Sequence, residues 1–168
     1  MEPLSEPASP GPPPGVRVTE PGIIRVAAVI ILDQRQRVLT VRKAGTHRFM
    51  QPGGKPEPGE TPQQTAVREV AEEIGLCLDP ARLQDMGTFY APAANEENTV
   101  VACHNFLVPG DDAAPESLEA LEPAAEIAEI LWVPLLSLAP AAHLAPLLTE
   151  QVAPAVRDLL ARSDSAAR

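Results

Sequence analysis

The polarity pattern changes abruptly at Ile23. Upstream, residues 1–22 hold seven of the twenty prolines and almost no apolar periodicity, so a disordered or extended tail is expected there. Residues 23–32 form a nearly continuous, β-branched apolar run, which predicts a buried strand. Asp33-Gln34-Arg35-Gln36 predicts a turn and 38–42 a second strand, while 49–51 is expected to be a short strand leading into Gly53-Gly54. A helix is predicted from Pro62 to Ile74, then strands near 83–90 and 99–108, an acidic, proline-marked loop over 109–125, and a strand over 127–133 with Trp132 in the core. Leu144, Leu147, Leu148, Val152, Val156, Leu159 and Leu160 keep a helical stripe, in which Pro154 is expected to cause a kink. Strands around a central helix, closed by a second helix, predict an α/β layered domain over 23–140 and a C-terminal helix over 141–168 packed on it.

Composition narrows the function more than the fold. A chain of 168 residues suits one domain, and 45% hydrophobic with 21% charged residues is ordinary for a soluble globular protein. No stretch approaches the roughly 20 apolar residues that span a bilayer, and the acidic, proline-rich start is unlike a signal peptide. A cytoplasmic protein without a membrane partner is expected, as a monomer or a homodimer. Cys77 and Cys103 have no zinc-like spacing and are too few for a disulfide scaffold. The formal charge of −10 argues against long nucleic acid, whose phosphates demand a basic surface. It leaves a small phosphorylated substrate open, because a divalent metal reverses the local sign of an acidic site.

The central helix carries the chemistry. Thr61 is a good N-cap, Pro62 suits the first helical position, Gln64 completes a capping box, and Gly75 is a C-terminal stop. At 100° per residue, Ala66, Val67, Val70, Ala71 and Ile74 form an apolar stripe, with Arg68, Glu69, Glu72 and Glu73 expected on the opposite side. A solvated face is the ordinary explanation of such charge. Two costs oppose it. Glu69 repels Glu72 and Glu73 at spacings of three and four, at roughly 0.2–0.5 kcal/mol per pair, and the helix dipole disfavours anions near its C-terminus by up to about 1 kcal/mol. A hard divalent cation would turn that repulsion into coordination.

These residues resemble the Nudix box, which runs Gly, five residues, Glu, seven residues, then Arg-Glu-U-x-Glu-Glu-x-Gly-U with U aliphatic. Gly54, Glu60, Arg68, Glu69, Val70, Glu72, Glu73, Gly75 and Leu76 match it with every spacing intact. Chance agreement is on the order of one in 10⁹ per start point, which makes the match specific. The resemblance implies a Nudix-type α/β/α sandwich with a mixed central sheet, and a pyrophosphohydrolase acting with magnesium, or manganese as a substitute. It implies that Glu72 and Glu73 bind metal directly and that Glu69 contributes as a third acid. Arg68 matches an arginine that orients a glutamate, and Gly53 a glycine whose carbonyl reaches the metal, its missing side chain permitting close approach. Glu60 matches the acid of the loop before the helix and is grouped with the substrate-binding residues. A further catalytic acid from outside the box is expected at Glu126, in preference to Glu129.

Substrate choice is less legible. Arg42, Lys43 and Arg48 are basic residues upstream of the box and candidates for terminal phosphates; ordinary solvated charge is the alternative. Phe49 is a candidate for stacking on a base, with core packing the stronger alternative. His47, His104 and His143 lack motif context and are read as structural or surface residues. The compact length favours a nucleoside triphosphate, oxidised forms included. Pro92, sixteen residues after Leu76, resembles a marker of relatives that hydrolyse ADP-ribose. A nucleotide-sensing module without catalysis is the remaining class, which a complete box disfavours.

Overall fold

The computed structural model describes residues 22–93, 97–110 and 115–168. Of the expected N-terminal tail only Gly22 falls within them, and part of the expected 109–125 loop also lies outside. The elements run β1 (Gly22–Ile31), β2 (Arg37–Lys43), β3 (Gly53–Gly54), α1 (Pro62–Ile74), β4 (Gln84–Pro92), β5 (Thr99–Val108), α2 (Pro115–Glu119), β6 (Ile127–Pro134) and α3 (Ala153–Ala166). A four-stranded mixed sheet has the order β3-β1-β5-β4, with β1 and β5 parallel from Gly22↔Thr99 to Ile31↔Val108. The strands β2 and β6 form a separate antiparallel pair, tied in through the bridges Leu32↔Val38 and Val41↔Met50. The expected strand at 49–51 is reduced to isolated bridges at Phe49 and Met50. The 109–125 segment contains the short helix α2, which a reading as plain loop did not anticipate.

Side-chain alternation along β1 and β5 divides the core in two. Ala27, Val29 and Ile31 of β1, with Phe106 and Val108 of β5, pack against Ala66, Val70 and Ile74 of α1. Ile30 and Leu107, on the other face, meet Leu144, Leu148, Val152, Ala153 and Val156 of the C-terminal segment. One helix on each face of the sheet makes the α/β/α sandwich. Trp132 packs against the α1-side core, with the Arg37 guanidinium 5.5 Å from its ring centre.

The C-terminal stripe is helical, but Pro154 is not a kink within one α-helix. A π-helical turn at Leu147–Val152 runs into α3, and Pro154 occupies the first turn of α3. A proline there is tolerated because the first-turn N–H groups need no helical acceptor. The wider turn absorbs the change in hydrogen-bond pattern.

Candidate active site

The helix α1 is capped as its sequence requires. Gln64 N–H donates to Thr61 Oγ1 at 3.2 Å, Thr61 N–H donates to Gln64 Oε1 at 2.9 Å, and Gly75, at φ 69°, donates its N–H to Ala71 O at 3.0 Å. Its buried stripe differs from the expected one. Ala66, Val70 and Ile74 are buried, Val67 is only half-buried and Ala71 is exposed. Glu73, expected on the opposite face, is 1% exposed. The geometry of the helix explains the correction: seven residues bring Glu73 within about 20° of Ala66, on the packed face.

Two glycines make room for this arrangement. A Cβ on Gly53 would lie 2.2 Å from Ala27 O and 2.6 Å from Ala28 Cα, so only glycine lets β3 pair with β1 here. A Cβ on Gly54 would lie 2.4 Å from the Glu69 carboxylate carbon. Gly53 N–H then donates to Glu73 Oε2 at 3.1 Å. Gly53→Ala is expected to lower stability by about 2 kcal/mol, the cost of overpacking, whereas Gly54→Ala displaces Glu69 and lowers turnover more than stability. Melting curves beside turnover check this; identical melting of wild type and Gly53→Ala would show that β1 and β3 separate freely.

Arg68 is the hub of the acidic face. Its Nε and Nη2 donate to the two oxygens of Glu60 at 2.7 and 3.0 Å, and its Nη1 donates to Glu69 at 2.9 Å and to Glu72 at 3.3 Å. Nη2 also donates to the Lys55 carbonyl at 3.0 Å, fastening the loop before α1. Glu60 accepts as well from Thr65 Oγ1 and Glu57 N–H, both at 2.9 Å. Arg68 first, then the Glu57 N–H, hold its carboxyl down at about 2. Glu60 is thus engaged with Arg68, Thr65 and the Glu57 N–H, and it does not line the cleft described below.

Glu73 is different. Its Oε1 is buried and lacks a hydrogen-bond partner. The nearest cation, Lys43 Nζ, is 3.8 Å away, too far for a hydrogen bond. Burial pushes the Glu73 carboxyl up to about 7, although Lys43 and the Gly53 N–H work against that. Lys43 instead donates to Glu126 at 2.7 Å. Burial disfavours its charge, but Glu126 and the fields of Glu73 and Glu69 outweigh that and raise its pKa.

The loop before β6 brings Glu126 to this point. Ala124 N–H donates to the Glu73 carbonyl and Ala44 N–H to the Glu126 carbonyl, both at 2.8 Å. The loop is thereby pinned to the end of α1 and the end of β2. Glu129 lies opposite Arg42 in the β2–β6 ladder and pairs with it at 3.2 Å. Of the two acids only Glu126 lines the cleft.

That cleft encloses about 550 Å³, with Lys43, Lys55, Glu69, Glu126, Gly53 and Gly54 on its polar side. Arg42, Arg48 and Phe49, candidates for substrate contact, do not line it. Arg42 is committed to Glu129 and the Thr46 carbonyl. Phe49 is 8% exposed in the apolar core, with the Arg42 guanidinium 5.9 Å from its ring centre. Lys55 was missed by sequence reasoning, although a basic residue directly after two glycines was a usable signal. His104 sits on the far strands, 2.7 Å from Asp85, and has no part in the cleft.

Fold and site together define an α/β domain whose acidic helix contributes Glu69 to a cleft of about 550 Å³. The NUDIX domain model matches residues 23–157, and the chain belongs to the Nudix family. A protein of Bacillus subtilis (strain 168), named as a proposed 8-oxo-dGTP diphosphatase, is 34% identical over 71 residues, which are 42% of this chain and 46% of that protein. An RNA pyrophosphohydrolase of Yersinia enterocolitica is 42% identical over 55 residues, 33% of this chain and 31% of that one. These matches span less than half of either relative. The crystal structure of a MutT protein from Methanosarcina mazei Go1 superimposes with a TM-score of 0.66 at 19% identity, covering 83% of this chain and 97% of that one. It shares the fold.

Proposed function

We propose that this chain is a magnesium-dependent pyrophosphohydrolase that cuts a phosphoanhydride bond in a nucleoside triphosphate, oxidised forms included. The observation that carries the reading is the buried, unpartnered Oε1 of Glu73, which lies behind Gly53 and Lys43 of the cleft that Glu69 and Glu126 line. A buried carboxylate oxygen without a donor is costly unless a cation meets it. The donors around it are hard oxygens, which suit magnesium or manganese.

Among the described residues no three acidic, histidine or cysteine side chains already converge as a metal centre. Arg68 Nη1 instead holds Glu69 and Glu72 together. Glu73, Glu72 and Glu69, with the Gly53 backbone, are the residues that would hold the ion. When bound, it supplies charge neutralisation for diphosphate oxygens and a lowered pKa for attacking water. In this reading Arg68 spaces the carboxylates, Lys43 and Lys55 offer positive charge to phosphate oxygens at the cleft, and Glu126, paired with Lys43, would orient water. The relatives named as a diphosphatase and a pyrophosphohydrolase support hydrolysis over sensing.

Pro92 in the cleft wall favours one second reading, hydrolysis of ADP-ribose. Both readings are tested by a screen of nucleoside triphosphates, oxidised forms, ADP-ribose and dinucleoside polyphosphates. Activity is expected to vanish with a chelator and return with magnesium or manganese. Binding of nucleotides without any phosphate or pyrophosphate release would make the chain a sensor.

Glu126→Gln is expected to lower turnover at saturating substrate at least about tenfold, equivalent to roughly 1.4 kcal/mol of barrier. Wild-type turnover would remove Glu126 from the mechanism, and a large loss confined to Glu129→Gln would move its role there.

A further inference from the structure

Behind the apolar half of the cleft lies a buried polar side chain whose orientation is determined by its neighbours. Asn105 shares one face of β5 with Val101, Cys103 and Leu107 and is 0% exposed. Its Nδ2 donates to the Cys103 carbonyl at 3.0 Å. A carbonyl oxygen only accepts, so Asn105 must turn its amide nitrogen there and present Oδ1 on the other side. That oxygen also only accepts, and Gln51 Nε2 donates to it at 2.9 Å. The relay leaves Gln51 with a single direction for its own carbonyl.

Gln51 is 6% exposed and lines the cleft. Its Oε1 accepts no hydrogen bond from the described residues, yet Glu73 Oε1 is the only fully buried, unpaired side-chain oxygen among them. The Gln51 oxygen therefore opens on the cleft. Small and aliphatic side chains line the same cleft, among them Ala28, Val101, Cys103, Ala145 and Leu147. An apolar chamber with one anchored acceptor selects a flat, mostly apolar group that presents one hydrogen-bond donor.

Resting on the hydrolase reading above, we propose that Gln51 Oε1 recognises an exocyclic amino group of the nucleobase, so that the enzyme prefers amino-bearing purine nucleotides. The phosphates of such a substrate lie toward Lys43, Lys55 and the acidic helix, and the base enters the apolar half. Asn105 and the Cys103 carbonyl act through Gln51 by preventing its amide from rotating. A base without the amino group leaves the acceptor desolvated and unpaired, a loss that falls on binding.

The test compares ATP with purine riboside triphosphate, and GTP with inosine triphosphate, each pair differing only by an amino group. With magnesium and the wild-type chain, KM is expected to be at least about tenfold higher for the amino-less member of one pair, with kcat little changed. Gln51→Leu is expected to abolish that difference. The wild-type comparison stands by itself should the variant fold poorly. Hydrolysis with equal KM within both pairs, or a full preference retained in a folded Gln51→Leu protein, overturns the base-recognition proposal alone. No release from any nucleotide, ADP-ribose included, overturns the hydrolase reading and this inference with it.

Discussion

Glu73→Gln is expected to lower turnover at least about a hundredfold, roughly 2.7 kcal/mol of barrier, while the fold survives. Glutamine retains a carbonyl that can accept from Gly53 N–H, so the local hydrogen bond persists. What disappears is the negative charge of a side chain only 1% exposed. Burial raises the Glu73 carboxyl to about 7 from an ordinary value of 4.5, so without metal the folded state binds more protons than the unfolded state between those values. Stability of the metal-free protein should then fall as pH rises from about 4.5 through about 7, by up to about 3 kcal/mol for this group alone. Glu73→Gln should flatten that slope. Thermal melts across this range in chelator, beside kinetics in magnesium, check both halves. Wild-type turnover in the variant would remove Glu73 from the metal site.

Arg68→Ala is the second large effect. It strips Glu60 of both its contacts to the guanidinium and leaves Glu69 and Glu72 facing each other without the cation between them. Turnover is expected to fall about a hundredfold through misplaced carboxylates, and the melting temperature by a few degrees. Glu60 adds a pH signature. Its carboxyl is held near 2, below its ordinary 4.5, so its contribution to stability is present above 4.5 and is lost as pH falls through about 2. In Arg68→Ala most of that contribution should already be absent at neutral pH, so the loss of stability on acidification should be shallower than in the wild type. Arg68→Lys keeps the charge but not the two-pronged fork, and should recover only part of the turnover. Full recovery by lysine would show that charge alone suffices.

The expectations from the chain divide along a physical line. Local rules determined α1 from Thr61 to Gly75, because a cap, a first-turn proline and a left-handed stop act within a few residues. Alternation and β-branched runs likewise determined β1 and β5, and the spaced acids of the Nudix box identified the family. The resemblance to the box also implied that Arg68 orients a glutamate, and Arg68 contacts Glu60, Glu69 and Glu72.

Tertiary structure decided the rest, because it depends on contacts between segments far apart in the chain. The seven-residue spacing from Ala66 already put Glu73 on the packed face of α1, and tertiary packing decided that its Oε1 meets no donor there. Lys43 found Glu126 at the cleft while its neighbour Arg42 found Glu129, and Phe49 went to the core with the C-terminal segment. The two-residue relay of Gln51 and Asn105 spans fifty-four positions, and no periodicity reports it. Charges and amides are read from the chain as residue types; which of them is buried, and which atom is left without a partner, is set by what packs against it.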